Sequence, residues 1–347
     1  METSSRPKIS VLVAIYNAAR YLRPCLDSLC NQTLQDIQIV CIDDCSTDNS
    51  LAIVNEYAAH DARFVVLQTP QNSGQAVARN LGLTVVTGQY TTMLDSDDWY
   101  ALDALERAYM ALQEAEENDC VLMNLVFYDE ATKHETPYPL RTSKHVLTGE
   151  EAFRLSTNAW GIHGLYVLRT ELHKQYPYDT TCRLYSDDNT THIHYLHARK
   201  VVFCKGCYYY RQHVASTTQG INFKRFDLME ANLSMYRQLE AEAKRGSFSH
   251  EDEVLQHFET LRWCNLIGLY GFWLQNKRSF TNTECIAALN RMQSILPTIH
   301  RDQIAWRVKC RPGYWPWHSF KLFRLQSWVY FQLRWLKEKV CKRKTSL

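Results

Sequence analysis

The chain has 347 residues, enough for two domains or for one domain with a sizeable appendage, and its 46% hydrophobic content is ordinary for a globular protein with a full core. Its net charge of +2 hides an asymmetry: from Arg301 onward the only acids among many Lys and Arg are Asp302 and Glu338, so the remainder is net acidic and the tail points to an anionic surface as partner. No secretory signal, membrane span or disulfide framework is expected, because Met1–Lys8 is polar, no apolar stretch reaches about 18 residues, and the 12 cysteines are scattered in a chain read as cytoplasmic with reduced thiols.

Ile9–Ile15 is a near-continuous apolar run, suited to a strand buried on both faces of a parallel sheet. Tyr16-Asn17 ends it, and Ala18–Asn31 has helical spacing through Leu22, Cys25, Leu26 and Leu29. Ile37–Ile42 is a second buried strand closed by Asp43-Asp44; Ser46–Ser50 starts a helix that Leu51–Ala59 continues. Phe64–Leu67 is a third strand, and Ser73-Gly74 opens a helix over Gln75–Val86 that ends near Gly88. Tyr90–Leu94 is a fourth strand and delivers Asp95-Ser96-Asp97-Asp98. Three carboxylates so close repel one another unless a hard divalent cation, Mg2+ or Mn2+, takes their oxygens and is shared with substrate phosphates. The bland alternative is a solvated acidic loop, with Asp98 capping a helix over Trp99–Glu116.

The alternation of strand and helix predicts an α/β doubly wound sheet. Ligands of such sheets bind outside the carboxyl ends of the strands, where Tyr16, Asn17, Asp43, Asp44 and the acidic tetrad all fall.

The middle of the chain is more mixed. Cys120–Tyr128 and Ile162–Leu168 read as strands, Lys133–Lys144 as a polar loop, and Thr148-Gly-Glu-Glu151 as a capping box before a helix. Asp187-Asp188 precedes a helix around Thr190–Ala198, whose His192, His194 and His197 are expected on a partly exposed face rather than at a metal. Val201–Cys204 and Tyr208–Arg211 read as paired strands with Cys204-Lys-Gly-Cys207 as the hairpin turn. Beyond Gly220 the pattern is helical: Phe226–Lys244, Ser249–Trp273 with Ser249 as cap, and Asn282–Ile295 with Asn282 as cap. The end of the chain mixes tryptophans with basic residues, and Leu322, Leu325, Val329, Leu333, Leu336 and Val340 form one helical stripe. Such a stripe suits a helix lying in a bilayer surface, or one packed on the protein core. No recognition motif accompanies the charge, so a nucleic-acid partner is not expected.

The first hundred residues resemble the family 2 glycosyltransferases. The matching segments are Ser10 to Asn17, Tyr21-Leu22, Cys25 to Ser28, Asn31 to Thr33, Ile42 to Asp44, Ser46 to Ser50, Asn72 through Gly82, and Leu94 to Asp98; their order and spacing carry the resemblance, which covers roughly Lys8 to Thr218 and is weaker between Asp119 and Leu184. It implies a GT-A fold with a helical C-terminal extension: a nucleotide-sugar half over 8–110, an acceptor half over 111–219, and a helical region with a basic aromatic tail over 220–347.

By the same resemblance a nucleotide-sugar donor lies across Ala14, Tyr16, Asn17, Asp44, Arg79, Asp95, Ser96, Asp97, Arg211 and His213. Tyr16 lies against the base and Asp44 accepts its ring N–H, which favours uracil. Arg79 reaches the diphosphate or braces the acidic loop. Asp97, with Asp95 and His213, takes Mn2+ or Mg2+, which helps the nucleoside diphosphate leave. Asp188, or alternatively Asp187, is the general base in a single inverting displacement. Arg211 and His213 open a segment similar to the family's RxHxxS, ending at Thr218.

Two departures narrow the expectation. Glu259-Thr-Leu-Arg262-Trp263 resembles the QxxRW motif of processive synthases, but Glu replaces Gln and no spans accompany it, so Trp263 is read as helix core and the enzyme as adding single sugars, hexosyl or N-acetylhexosaminyl. Trp160 to Tyr166 lacks the Lys that similar proteins place before Leu-Tyr. The expected acceptor is a hydroxyl of a glycan or lipid-linked glycan in cell-surface polysaccharide or lipopolysaccharide assembly, with peripheral contact at the inner membrane face. The rival is a non-catalytic nucleotide- or glycan-binding scaffold.

Overall fold

The strand-length apolar runs pair into one sheet because each can be covered on both faces only by the helices that separate them. The computed structural model describes residues 6–213 and 221–344. The chain divides into two compact units, Met1–Ser216 and Thr217–Leu347.

In the first unit the strands are β1 (Ile9–Ile15), β2 (Ile37–Asp43), β3 (Phe64–Gln68), β4 (Tyr90–Met93), β5 (Trp99–Tyr100), β6 (Asn118–Asp129), β7 (Glu135–Pro137), β8 (Val146–Thr148), β9 (Tyr166–Arg169) and β10 (Lys200–Gln212). The helices are α1 (Ala19–Cys30), α2 (Ser50–His60), α3 (Gln75–Leu83), α4 (Ala104–Gln113), α5 (Gly149–Thr157), α6 (Thr170–Gln175) and α7 (Ser186–His197). The sheet order is β3-β2-β1-β4-β9-β6-β10-β5, with β7 on β6 and β8 on β10. β1 is parallel to β2 and β4, β2 to β3, and β6 to β10, whereas β9 runs antiparallel between β4 and β6. The carboxyl ends of β1, β2, β4, β6 and β10 therefore share one edge. Register keeps them level: Ile15 faces Asp43, and Leu12 faces Met93.

Several local expectations change. Asp98 is no helix cap: Trp99-Tyr100 pairs with β10, and α4 starts only at Ala104, after Asp103. The Cys204–Cys207 stretch is no hairpin turn but an irregularity within one continuous strand, where the pairing of β10 to β6 slips between Phe203 and Cys207. Gly206 is needed there, because a Cβ would lie 2.7 Å from the Ala104 carbonyl oxygen. Two of the three α7 histidines are interior rather than half-exposed: His194 is fully buried and His192 is 7% exposed, whereas His197 is partly exposed as expected. Tyr166 donates to Nδ1 of His194, whose Nε2–H donates to the Tyr176 carbonyl. The capping box at Thr148 and Glu151 forms as read. The described cysteines are all free thiols.

The second unit holds α8 (Leu228–Lys244), α9 (Glu251–Asn276), α10 (Asn282–Ile295), α11 (Trp306–Lys309) and α12 (Phe320–Lys344). The caps differ by one residue from expectation: His250 precedes α9, and Thr281 forms a capping box with Glu284 before α10. Trp263 is fully buried in this unit's core, with Nε1–H donating to the Tyr314 carbonyl at 2.7 Å. Glu259 and Arg262 form a buried ion pair at 2.5 Å beside it. Gly271 lets α9 approach α12, since a Cβ there would run into the Phe331 ring.

Candidate functional site

The acidic turn sits at the shared carboxyl edge because β4 lies beside β1 in mid-sheet. Leu94 N–H still bonds to Leu12 O, and Asp98 N–H then closes a turn onto Asp95 O at 3.0 Å. The three carboxylates do different work. Asp98 is 1% exposed and accepts from Tyr208 O–H and from Arg211 N–H, both at 2.7 Å. Burial, and then the charges of Asp95 and Asp97, raise it well above the carboxylate range. Asp98 thus locks the end of β10 against the turn, while Asp95 and Asp97 keep side chains 32% and 35% exposed.

Arg79 is 1% exposed and its Nη2 lies 2.5 Å from Asp95 Oδ1. Its guanidinium lies over the Tyr178 ring, and Nε and Nη1 have no hydrogen-bond partner among the described residues. The contact with Asp95 is of the kind that bracing the acidic loop requires. Burial pushes Asp95 up and Arg79 pulls it down; with Asp97 and Asp187 adding to the rise, its carboxyl reaches about 6.

Asp97 Oδ2 lies 2.9 Å from His213 Nε2. The Tyr21 ring stacks on His213 at 4.5 Å, and His213 Nδ1 is buried without a partner among the described residues. Arg211 donates through Nε to the Asp97 carbonyl at 2.8 Å, and its guanidinium lies over the Trp99, Tyr21 and Tyr128 rings, 3.9 Å from Glu130. Tyr21, Trp99, Tyr128 and Glu130 were not among the expected site residues. The sequence signals for them were Tyr21-Leu22 among the matching segments and the Trp directly after the acidic run. The rest of the segment, to Thr218, lies outside the described residues.

At the β1 and β2 ends, Tyr16 is 49% exposed and free to meet a flat ring, whereas Ala14 is part of the strand packing. Asn17, at φ 50°, turns its Oδ1 onto Thr47 N–H and Oγ1–H and Asp48 N–H, so its side chain shapes the loop. Asp44 is 3% exposed; Oδ1 accepts from Thr69 and Ser73, and Oδ2 from Gly74 N–H at 2.7 Å. Asp43 is buried and accepts from Ser46 N–H and Gln68. Ser96 lies in the acidic turn.

Asp187 and Asp188 occupy the first turn of α7. Gln75, at the start of α3, donates to Asp187 Oδ2 at 3.4 Å, and Asp188 N–H bonds to Asp187 Oδ1. Burial, then the Asp187 charge, raises Asp188 well above the carboxylate range. Tyr185, just before the pair, adopts φ 67°, a backbone state that costs on the order of 1 kcal/mol for a bulky residue and often marks a working site. Arg183, also not expected, ties this loop to Asn72.

Among the described residues no three metal-ligating side chains gather. Of the three residues expected at a metal, Asp97 meets His213 at 2.9 Å, while Asp95 is held by Arg79. A mostly parallel sheet followed by C-terminal helices is the expected GT-A architecture. The sequence profile of Glycosyl transferase family 2 matches residues 10–176. Glycosyltransferase GlyG of Streptococcus pneumoniae is 32% identical over 220 residues, covering 60% of this chain and 72% of GlyG. A poly(ribitol-phosphate) beta-glucosyltransferase of Bacillus spizizenii is 42% identical over 105 residues, 29% of this chain and 17% of that protein. TarS 1-349 of S. aureus, solved with UDP-GlcNAc, superposes at a TM-score of 0.70 with 20% identity, covering 95% of this chain and 92% of that one. The chain belongs to glycosyltransferase family 2.

Proposed function

We propose that this glycosyltransferase is metal-dependent and inverting, and moves one sugar from a UDP-sugar to a hydroxyl of a cell-surface glycan or lipid-linked glycan. The observation that carries this reading is that two acidic pairs from separate elements lie near Arg79: Asp95 and Asp97 after β4, and Asp187 and Asp188 on α7, with Arg79 bonded to Asp95 and feeling the Asp187 charge. Asp187 is close enough to Asp95 to raise its pKa.

Asp97, His213 and Asp95 would hold Mn2+ or Mg2+, which when bound neutralises charge on the departing diphosphate. Asp188 takes the proton of the acceptor hydroxyl as its oxygen bonds to the anomeric carbon and the bond from that carbon to the phosphate oxygen breaks. One displacement inverts the configuration. A raised pKa makes Asp188 a stronger base once ionised. Tyr16 is free to stack on uracil, and Asp44 Oδ2, with one donor from Gly74, keeps a lone pair for its ring N–H. The UDP-GlcNAc complex of TarS supports a UDP-sugar donor, and the name of the poly(ribitol-phosphate) relative supports a surface-polymer acceptor.

The test is a panel of nucleotide sugars in Mn2+, Mg2+ and EDTA with wild type and Asp97→Ala. One UDP-sugar should bind or hydrolyse slowly with metal, and the variant should lose it. Equal binding in EDTA and in the variant would remove the metal from the reading.

A further inference from the structure

We propose that α12 lies in the surface of an anionic bilayer through an exposed ridge of Leu322, Leu325, Val329, Leu333 and Leu336. The helix has two apolar faces. One carries Phe323 and Phe331 into the core of the second unit, with Ser327 fully buried beside them. The ridge is the other, and its side chains are 41–60% exposed. Single exposed leucines are ordinary, but five on one helix face, joined by Trp328, form a continuous patch of the kind that marks a contact surface. The Val340 side chain, expected to extend the stripe, lies outside the described residues.

Three observations select a lipid surface. Exposed Lys321, Arg324, Arg334 and Lys337 flank the ridge, and Glu338 is already paired with Arg334 at 3.0 Å. Trp306 is 68% exposed, and Trp315 and Trp317 are exposed as well, on the stretch leading into the helix; tryptophan favours the headgroup region of bilayers. An open groove of about 1080 Å³ runs beside the ridge, lined by Val329, Leu333 and Leu336 with Arg311, Arg334 and Lys337 around it, an apolar floor under a cationic rim.

The geometry also fixes the mode. No helix among the described residues is long and apolar enough to cross a membrane. A basic helix with one free apolar face lies in the interface plane instead. A second copy is a poorer occupant, because from Arg301 onward each chain brings twelve Lys and Arg against two acids, and like tails repel. Anionic headgroups relieve that charge.

The test uses the full chain with vesicles of phosphatidylcholine alone or mixed with phosphatidylglycerol. The protein should sediment with the anionic vesicles, less so as salt rises. Leu325→Glu with Leu333→Glu should weaken that binding about tenfold or more without altering thermal unfolding, since both positions are exposed. Lys321→Glu with Arg324→Glu should reduce the preference for anionic over neutral vesicles. Absence of wild-type binding, or binding that neither pair of changes affects, overturns the proposal. So does a concentration-dependent dimer that the Leu→Glu pair dissolves, which assigns the ridge to a second copy. Binding of nucleotide sugars does not enter this test, so it stands or falls apart from the proposed reaction.

Discussion

Arg79 and Asp95 form an ion pair of 2.5 Å in which the cation is buried and the anion is partly exposed. Removing the cation leaves Asp95 beside Asp97 and Asp187 with nothing to offset them. Arg79→Met should cost about 3 kcal/mol of stability, the low end for breaking a buried pair because Asp95 is partly solvated. Arg79→Lys should recover only part of it, since an ammonium lacks the planar fork. Chemical denaturation measures both. A fully stable Arg79→Met that loses only donor affinity would make Arg79 a diphosphate ligand instead.

Asp188→Asn should abolish transfer while leaving metal-dependent donor binding nearly intact. Asp187 raises the Asp188 pKa, so Asp187→Asn should lower it and move the acidic limb of the rate profile to lower pH. Burial is the larger cause, so the limb should stay above the ordinary carboxylate range. The kcat–pH profile of each variant reads this. Complete loss in Asp187→Asn with activity retained in Asp188→Asn would exchange the two roles.

His163 donates through Nε2 to the Met123 carbonyl and accepts at Nδ1 from Leu165 N–H, so its ring is held neutral. Burial pushes its pKa down to about 4. Between pH 6.5 and 4 the unfolded chain therefore holds a proton that the folded one lacks, and wild type loses stability as pH falls through that window. His163→Phe leaves both backbone groups unpaired and should cost about 2–4 kcal/mol at neutral pH. Its deficit relative to wild type should shrink by about 3 kcal/mol by pH 4. A deficit independent of pH would mean that the ring does not titrate in this way.

The Glu259–Arg262 pair is 0% and 2% exposed, and Glu259 also accepts from His300 N–H while Arg262 bonds to Thr298. Burial shifts both groups toward their neutral forms. Arg262→Ala strands a buried carboxylate and should destabilise the second unit by about 3–5 kcal/mol. Glu259→Gln keeps an acceptor for His300 and should cost less. Denaturant melts of the two variants decide whether the segment is a structural pair, with Trp263 packed beside it.

Much of the fold was readable because its signals are local. The apolar runs of β1 and β2 and the period of α1 and α3 depend only on neighbours within a turn or two, and those elements lie within a few residues of expectation. The capping box of α5 is equally local. The failures are places where distant residues overrule local pattern. Cys204–Cys207 reads as a turn until the β6 ladder and Ala104 hold it in one strand. His192 and His194 read as partly exposed until Ser156 and Tyr166 cover them.

The acidic run illustrates the division at the site. Its charge density by itself determined that Asp95 to Asp98 would need partners, since carboxylates that close repel in any fold. Which carboxylate takes which partner was decided only by tertiary structure. Asp98 meets Tyr208 and Arg211, Asp95 meets Arg79, and Asp97 faces His213, so that two remain partly exposed and one is sealed. The physical reason is the sheet order: placing β4 and β10 with their carboxyl ends on one edge brings residues more than a hundred positions apart within hydrogen-bond distance, a closeness that no window of sequence contains.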